Sequence, residues 1–180
     1  MVENEAFAVP AAAVTDARAF LRIDGSGEDA VLAGLIAAGL DVCEAYIGMP
    51  PVVRGYRERL PMRSVWQRLS RYPVRSIATV SAVEDGVVLG PLSGAAYEAD
   101  IDACDHGRVR INVLPGAPGI EVAYDAGLSA DWMSCPGSLR FGVLHWVAAA
   151  MLRRETPNSP LQSVESWLHL WRPYRAMRLA

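Results

Sequence analysis

Three histidines, three cysteines and one run of aspartates are the residues with which this chain could do acid–base, nucleophilic or metal chemistry. His106, His145 and His169 are spread along the sequence. His145 falls inside an apolar helical pattern, where a histidine packed in a core or interface is the simpler reading. A zinc site needs four ligands, commonly two Cys/His pairs. Cys104 and His106 form one such pair, and no second pair completes it. Asp100, Asp102 and Asp105 imitate the start of a calcium loop, but the glycine is misplaced and Ile111 stands where the bidentate glutamate belongs. A solvated hairpin is the expectation there. Phosphate-binding glycine loops are missing: Gly25-Ser26-Gly27 opens a helix, but no strand precedes it, and Glu28 and Asp29 would repel a phosphate. A nucleophile elbow is also missing. Cys43, Cys104 and Cys135 are odd in number and widely spaced, which predicts free thiols, with Cys43 in the core. The expectation is no catalytic residue, no metal and no cofactor.

The residues that suit recognition are arginines and aromatics. All 17 basic residues are arginine, and the net charge of −3 hides strong blocks. Residues 1–53 carry eight acids and two arginines, residues 54–75 seven arginines and one acid. Residues 84–131 carry nine acids and two arginines, residues 140–180 six arginines and two acids. Arginine is weakly hydrated and pairs bidentately with carboxylates, so it suits protein interfaces. A GC-rich genome would also favour arginine over lysine, but explains the blocks less well. Blocks of opposite sign could pair between neighbouring copies of the chain. The basic block offers Arg54, Arg57, Arg59, Arg63, Arg68 and Arg71, interleaved with Tyr56, Trp66 and Tyr72. A solvated or subunit-facing strand edge is favoured over a nucleic-acid footprint, and a sequence pI near 5.6 agrees. Near the C-terminus, Trp167, Trp171, Arg172, Tyr174, Arg175 and Arg178 crowd together. Trp, Tyr and Arg dominate interface hot spots, so the segment reads as a docking element. The alternative is that it packs back, with Trp167 and Trp171 as core.

The elements that must position these residues form an α+β pattern. After a loose, Ala-rich lead over residues 1–13, Thr15 can cap a short helix to Leu21. Ser26 can cap a longer one on which Val31, Leu32, Leu35, Ile36, Leu40, Cys43 and Ile47 share a face, and Gly48 with Pro50-Pro51 ends it. Strands are expected over residues 52–60, 65–69, 77–83, 87–89, 97–101, 108–113 and 120–124, with Asp85-Gly86 as a hairpin turn. Such spacing suggests an antiparallel sheet of hairpins. Pro136 begins a helix capped by Ser134 or Cys135, with Leu139, Val143, Leu144, Trp146, Val147, Ala150 and Met151 apolar. A last helical stretch follows over residues 161–170. The prediction is one domain over residues 1–180: helices over 1–51 and 132–180 packed together, with a β-rich insert over 52–131. The most apolar run, residues 141–152, is too short for a membrane helix, and the N-terminus lacks the basic start of a secretory signal, so a cytosolic start is expected.

Several segments, in order, resemble the head–tail connector (adaptor) proteins of tailed phages and of phage-like gene transfer agents. Val14-Thr15-Asp16-Ala17-Arg18-Ala19-Phe20-Leu21-Arg22-Ile23-Asp24 resembles their opening helix and turn. Glu28-Asp29-Ala30 and Glu44-Ala45-Tyr46-Ile47-Gly48 resemble the start and end of their next helix. Tyr72-Pro73-Val74-Arg75-Ser76-Ile77 resembles the start of a family strand, Val122-Ala123-Tyr124-Asp125-Ala126-Gly127 the end of another, and residues 136–154 the helix after it. The resemblance implies a non-enzymatic ring, usually of twelve copies, beneath the portal of a DNA-filled head. It implies four partners: the portal protein, neighbouring copies, the next neck, stopper or tail protein, and DNA passing through without sequence-specific binding. It implies no membrane partner. Localisation would be the neck of the particle, after assembly in the bacterial cytoplasm. The C-terminal segment (Trp167, Trp171, Arg172, Tyr174, Arg175, Arg178) would engage the portal, and Arg54, Arg57, Arg59, Arg63, Arg68 and Arg71 would face a neighbour or the lumen. The alternatives are another neck protein, a stopper or tail terminator, or a small cytosolic enzyme or binding protein.

Overall fold

The computed structural model describes residues 2–4, 8–112, 116, 118–155 and 165–175. The chain divides into two compact units. One gathers the N-terminal strand and Val53–Leu128, the other Ala8–Val52 and residues from Ser129 onward.

In the first unit, β1 (Val2–Asn4), β2 (Arg54–Pro61), β4 (Val74–Glu84), β5 (Val87–Pro91) and β8 (Gly119–Ala126) form an antiparallel sheet in the order β1-β2-β8-β4-β5. β8 is central because its sequence can be covered on both faces: Ile120, Val122, Tyr124 and Ala126 are buried on one, and Glu121 lies under arginines on the other. β3 (Gln67–Arg68), β7 (Gly107–Ile111) and β6 (Tyr97–Ile101) form a second antiparallel sheet in that order. Along β7, Gly107, Val109 and Ile111 point inward while Arg108 and Arg110 point outward, the period-two pattern of a half-buried strand. Gly107 packs tightly: a Cβ there would lie 2.7 Å from Leu69 Cδ1 and 3.0 Å from Val74 Cγ2, so these side chains would have to shift. The core of this unit joins Tyr56, Leu69, Val74, Val80, Val109, Ile111, Ile120, Val122 and Tyr124.

In the second unit, α1 (Ala11–Leu21), α2 (Asp29–Ile47), α3 (Gly137–Glu155) and α4 (Glu165–Trp171) pack together. Gly39 lets α2 approach α3: a Cβ there would meet the Trp146 ring at 3.1 Å and Val143 at 3.2 Å. By length and composition α2 is apolar enough to cross a membrane, more so than the 141–152 run expected to lead on that score. Leu32, Ile36, Leu40, Cys43 and Ile47 are nevertheless buried, as in the core helix of a helical bundle.

The α+β class and the antiparallel strands are as expected. Four local readings change. The lead is not all loose, because Val2–Asn4 adds an edge strand to β2. The β-rich region forms two sheets, because the pairing of β7 with β3 and β6 is decided by long-range burial. Thr15 caps nothing: α1 starts four residues earlier, after Pro10, and the Thr15 hydroxyl donates to Ala11 O at 3.0 Å within the helix. Asp16 accepts from Trp132 Nε1 at 2.8 Å and lies 3.5 Å from Arg140. Ser26 holds the next helix through its carbonyl, which accepts from Asp29 N, while Glu28 is the first flanking residue.

Candidate interaction surfaces

The basic block does not present its six arginines alike. β2 alternates, so Arg54, Tyr56 and Glu58 face inward and Arg57 and Arg59 face outward. Arg54 is 6% exposed and belongs to the interior, so it is not available to a partner or lumen in this conformation. Arg59 lies directly across from Glu121 and donates to it at 3.1 Å, and Arg57 approaches the same carboxylate at 3.7 Å. Arg71 is half-buried, with its guanidinium 5.9 Å from the centre of the Tyr56 ring. Arg63 and Arg68 are open to solvent.

Next to them an exposed aromatic is flanked by two further cations. Trp66 has the guanidinium groups of Arg108 and Arg110 at 4.9 and 5.0 Å from its ring centre. Arg108 donates to Asp100 and Arg110 to Glu98, across the β6–β7 ladder. The Arg110 hydrogen bond, aided by Asn112, holds the Glu98 carboxyl below its ordinary range. Thus Asp100 is part of a cross-strand ion pair. Asp102 closes a turn by accepting from the backbone N–H groups of Cys104 and His106 at 2.9 Å each.

Sequence reading missed one constellation. Glu58 is 3% exposed and accepts from Ser70 N at 2.9 Å, from the Ser70 hydroxyl, and from the Tyr124 hydroxyl at 2.9 Å. Tyr124 O also accepts from Arg71 N at 3.3 Å. Burial, then the Glu58 charge, pushes the Tyr124 phenol well above its ordinary range. A buried carboxylate with three donors is a structural clamp that ties the Ser70–Arg71 loop to β2 and β8. Its only sequence signal is one acid inside a run of arginines at an inward strand position. Arg75 clamps similarly, donating to the carbonyls of Gly127 at 2.9 Å and Leu128 at 2.7 Å.

In the helical unit the two readings of the C-terminal segment are separated. Trp171 is fully buried and Trp167 is 5% exposed, so both are core and not surface contacts. Trp171 Nε1 donates to Leu139 O at 3.2 Å. The indole fits because residue 142 is glycine: a Cβ there would lie 2.8 Å from Trp171 Cδ1. Ser138 and Tyr174 join their hydroxyls at 3.1 Å, and the Arg175 guanidinium sits 5.6 Å from the Tyr46 ring centre. Arg172 and Arg175 are exposed and Tyr174 is half-buried. Arg178 lies outside the described residues.

The remaining chemistry-bearing residues are dispersed. His106 stacks on Tyr72 at 4.6 Å, His145 meets the edges of Phe20 and Phe141, and His169 is exposed. Cys43 and Cys135 are buried and Cys104 is exposed, all as free thiols. Burial pushes the Cys135 thiol up to about 11. Among the described residues no group of three or more His, Cys, Asp or Glu could hold a metal ion.

Neither a protein-family model nor a curated protein matches this chain. Solved structures match all of it and 97% of the other chain in each case. One is the neck of an empty GTA particle computed with C6 symmetry, at a TM-score of 0.74 and 23% identity. A second is the virion of a native gene transfer agent particle, at 0.70 and 23%. A third is the neck of a native GTA particle computed with C12 symmetry, at 0.71 and 21%. The chain therefore has, end to end, the fold of a chain present in gene transfer agent particles.

Proposed function

We propose that this chain is a structural adaptor in the neck of a gene transfer agent or tailed-phage particle. Copies close into a ring under the portal, extend the DNA channel and carry the next neck or tail protein. The observation that carries this reading is the fold match over the whole of this chain and nearly the whole of its counterparts in gene transfer agent necks. The sixfold and twelvefold symmetry of those necks supports a ring, with twelve copies as the expected number. A closing ring needs two different faces on each copy, which blocks of opposite charge supply.

Portal engagement is assigned to the exposed side chains of the C-terminal segment, Arg172 and Arg175, with Arg178 beyond them. Trp167 and Trp171 anchor the segment, so less ordering is needed on binding. The test is light scattering of the chain, alone and with the portal protein of its own particle. A stable complex of portal and many copies is expected. The Arg172→Ala/Arg175→Ala variant should keep its fold and weaken attachment. Full attachment by that variant would remove the tail assignment. A chain that ignores the portal but binds the portal–adaptor assembly would be a stopper or terminator, and turnover or ligand-dependent stabilisation would make it an enzyme or binder.

A further inference from the structure

Strand β5 is an edge strand that Pro91 ends and whose ladder with β4 is irregular between Ala82 and Val83, but its residues 87–89 stay apolar and open. Edges are normally blunted by charge, proline, bulges or a covering element, because open backbone groups beside apolar side chains recruit another chain. On β5, Val87, Val88 and Leu89 are 63%, 42% and 59% exposed. Successive strand residues point to opposite faces, so both faces of this strand are open. Glu84 pairs with Val87 across a two-residue turn, with φ of +48° at Asp85 and +81° at Gly86, the geometry that type I′ hairpins require. The tip is acidic, with Glu84 and Asp85 exposed.

At the edge of the other sheet lies a surface of opposite character. Val65 and Trp66 are 59% and 39% exposed, flanked by the exposed Arg63 and Arg68. Among the described residues none of Arg63, Arg68, Glu84 and Asp85 has an ion pair within the chain. One patch is acidic and apolar, the other basic and apolar, and they are distinct, as a head-to-tail contact demands.

Building on the ring reading above, we propose that the β4–β5 hairpin of one copy docks on the Arg63–Arg68 surface of the next. Val87 and Leu89, on one face of the strand, cover Val65 and Trp66, and Glu84 and Asp85 pair with Arg63 and Arg68. This contact repeats around the ring. It also accounts for an apolar edge strand left open in the single chain.

Charge reversal on the full chain tests it, with ring formation read by light scattering in the presence of portal protein and folding checked by circular dichroism. Glu84→Arg/Asp85→Arg and Arg63→Glu/Arg68→Glu should each fold, and each should need at least about tenfold more protein for half-assembly, since like charges then face each other. An equimolar mixture of the two variants should regain wild-type assembly, because every tip then meets a patch of opposite sign. Assembly of both separate variants at wild-type concentrations, or no rescue in the mixture, would overturn the contact. Loss of portal binding with the ring intact would also overturn it, by making the hairpin a portal contact. A wild-type chain that forms no ring, with or without portal, would remove the ring reading and this contact with it.

Discussion

The two units mix polar and steric contacts in different proportions. In the β unit the ties that bridge distant segments are polar: Glu58 to Ser70 and Tyr124, Arg59 to Glu121, and Arg75 to two carbonyls at the end of β8. In the helical unit polar ties also occur, Trp132 Nε1 to Asp16 and Trp171 Nε1 to Leu139 O, but the closest helix contacts are set by shape: the Trp171 indole over Gly142, and the Trp146 ring against Gly39. Sheets must choose among registers, and a slip of one residue moves every side chain to the other face. Buried directional hydrogen bonds penalise wrong registers strongly. Helices satisfy their own backbones, so their assembly is chosen by shape, through large rings fitted onto glycines.

The largest expected effect tests the steric half of that contrast. Trp171→Ala should cost about 3–5 kcal/mol in urea unfolding, the range for emptying a buried aromatic site. Gly142→Ala should cost about 1–3 kcal/mol by overpacking the same contact. In the Trp171→Ala background that cost should disappear, and an additive pair would show that the two residues do not share a contact.

Next comes the polar half. Glu58→Ala should cost about 2–4 kcal/mol, because each buried donor left unpaired costs about 1–3 kcal/mol. Glu58→Gln, which keeps an acceptor oxygen, should lose less. Equal losses for the two variants would mean that Glu58 acts by filling space. The smallest effect concerns the thiols. At pH 8 an alkylating reagent should modify exposed Cys104 first, and buried Cys43 and Cys135 only on unfolding. The folded Cys135 thiol is raised from 9.0 to about 11, so the folded state favours the neutral form. Its contribution is complete below about pH 9 and fades as pH climbs toward 11, so the stability gap between wild type and Cys135→Ala should change over that interval. A gap constant with pH would count against a buried thiol.

Much of the layout was readable in advance for local reasons. Asp85-Gly86 marked a two-residue hairpin because few residue pairs accept positive φ at both positions, and Gly48 marked the end of α2 likewise. The candidate surface was only half readable. Six arginines in a row of β-like residues look equivalent, but strand alternation turns Arg54 inward and Arg57 outward, and burial then decides their roles. Trp167 and Trp171 showed the same ambiguity: hot-spot and core residues share a composition, and the difference lies in whether a cavity of matching shape exists in the same chain.

From the sequence alone come the α+β class, the order of helices and strands after the N-terminal lead, the free thiols and the alternating blocks of charge, because these depend on periodicity, turn chemistry and composition within a few residues. Tertiary structure alone decided that β7 leaves the main sheet for β3 and β6, that Glu58 is a buried clamp, that Gly142 exists for Trp171, and which arginines remain free to meet a partner. Each of those rests on residues far apart in the chain, and only burial, which the fold as a whole assigns, brings them together.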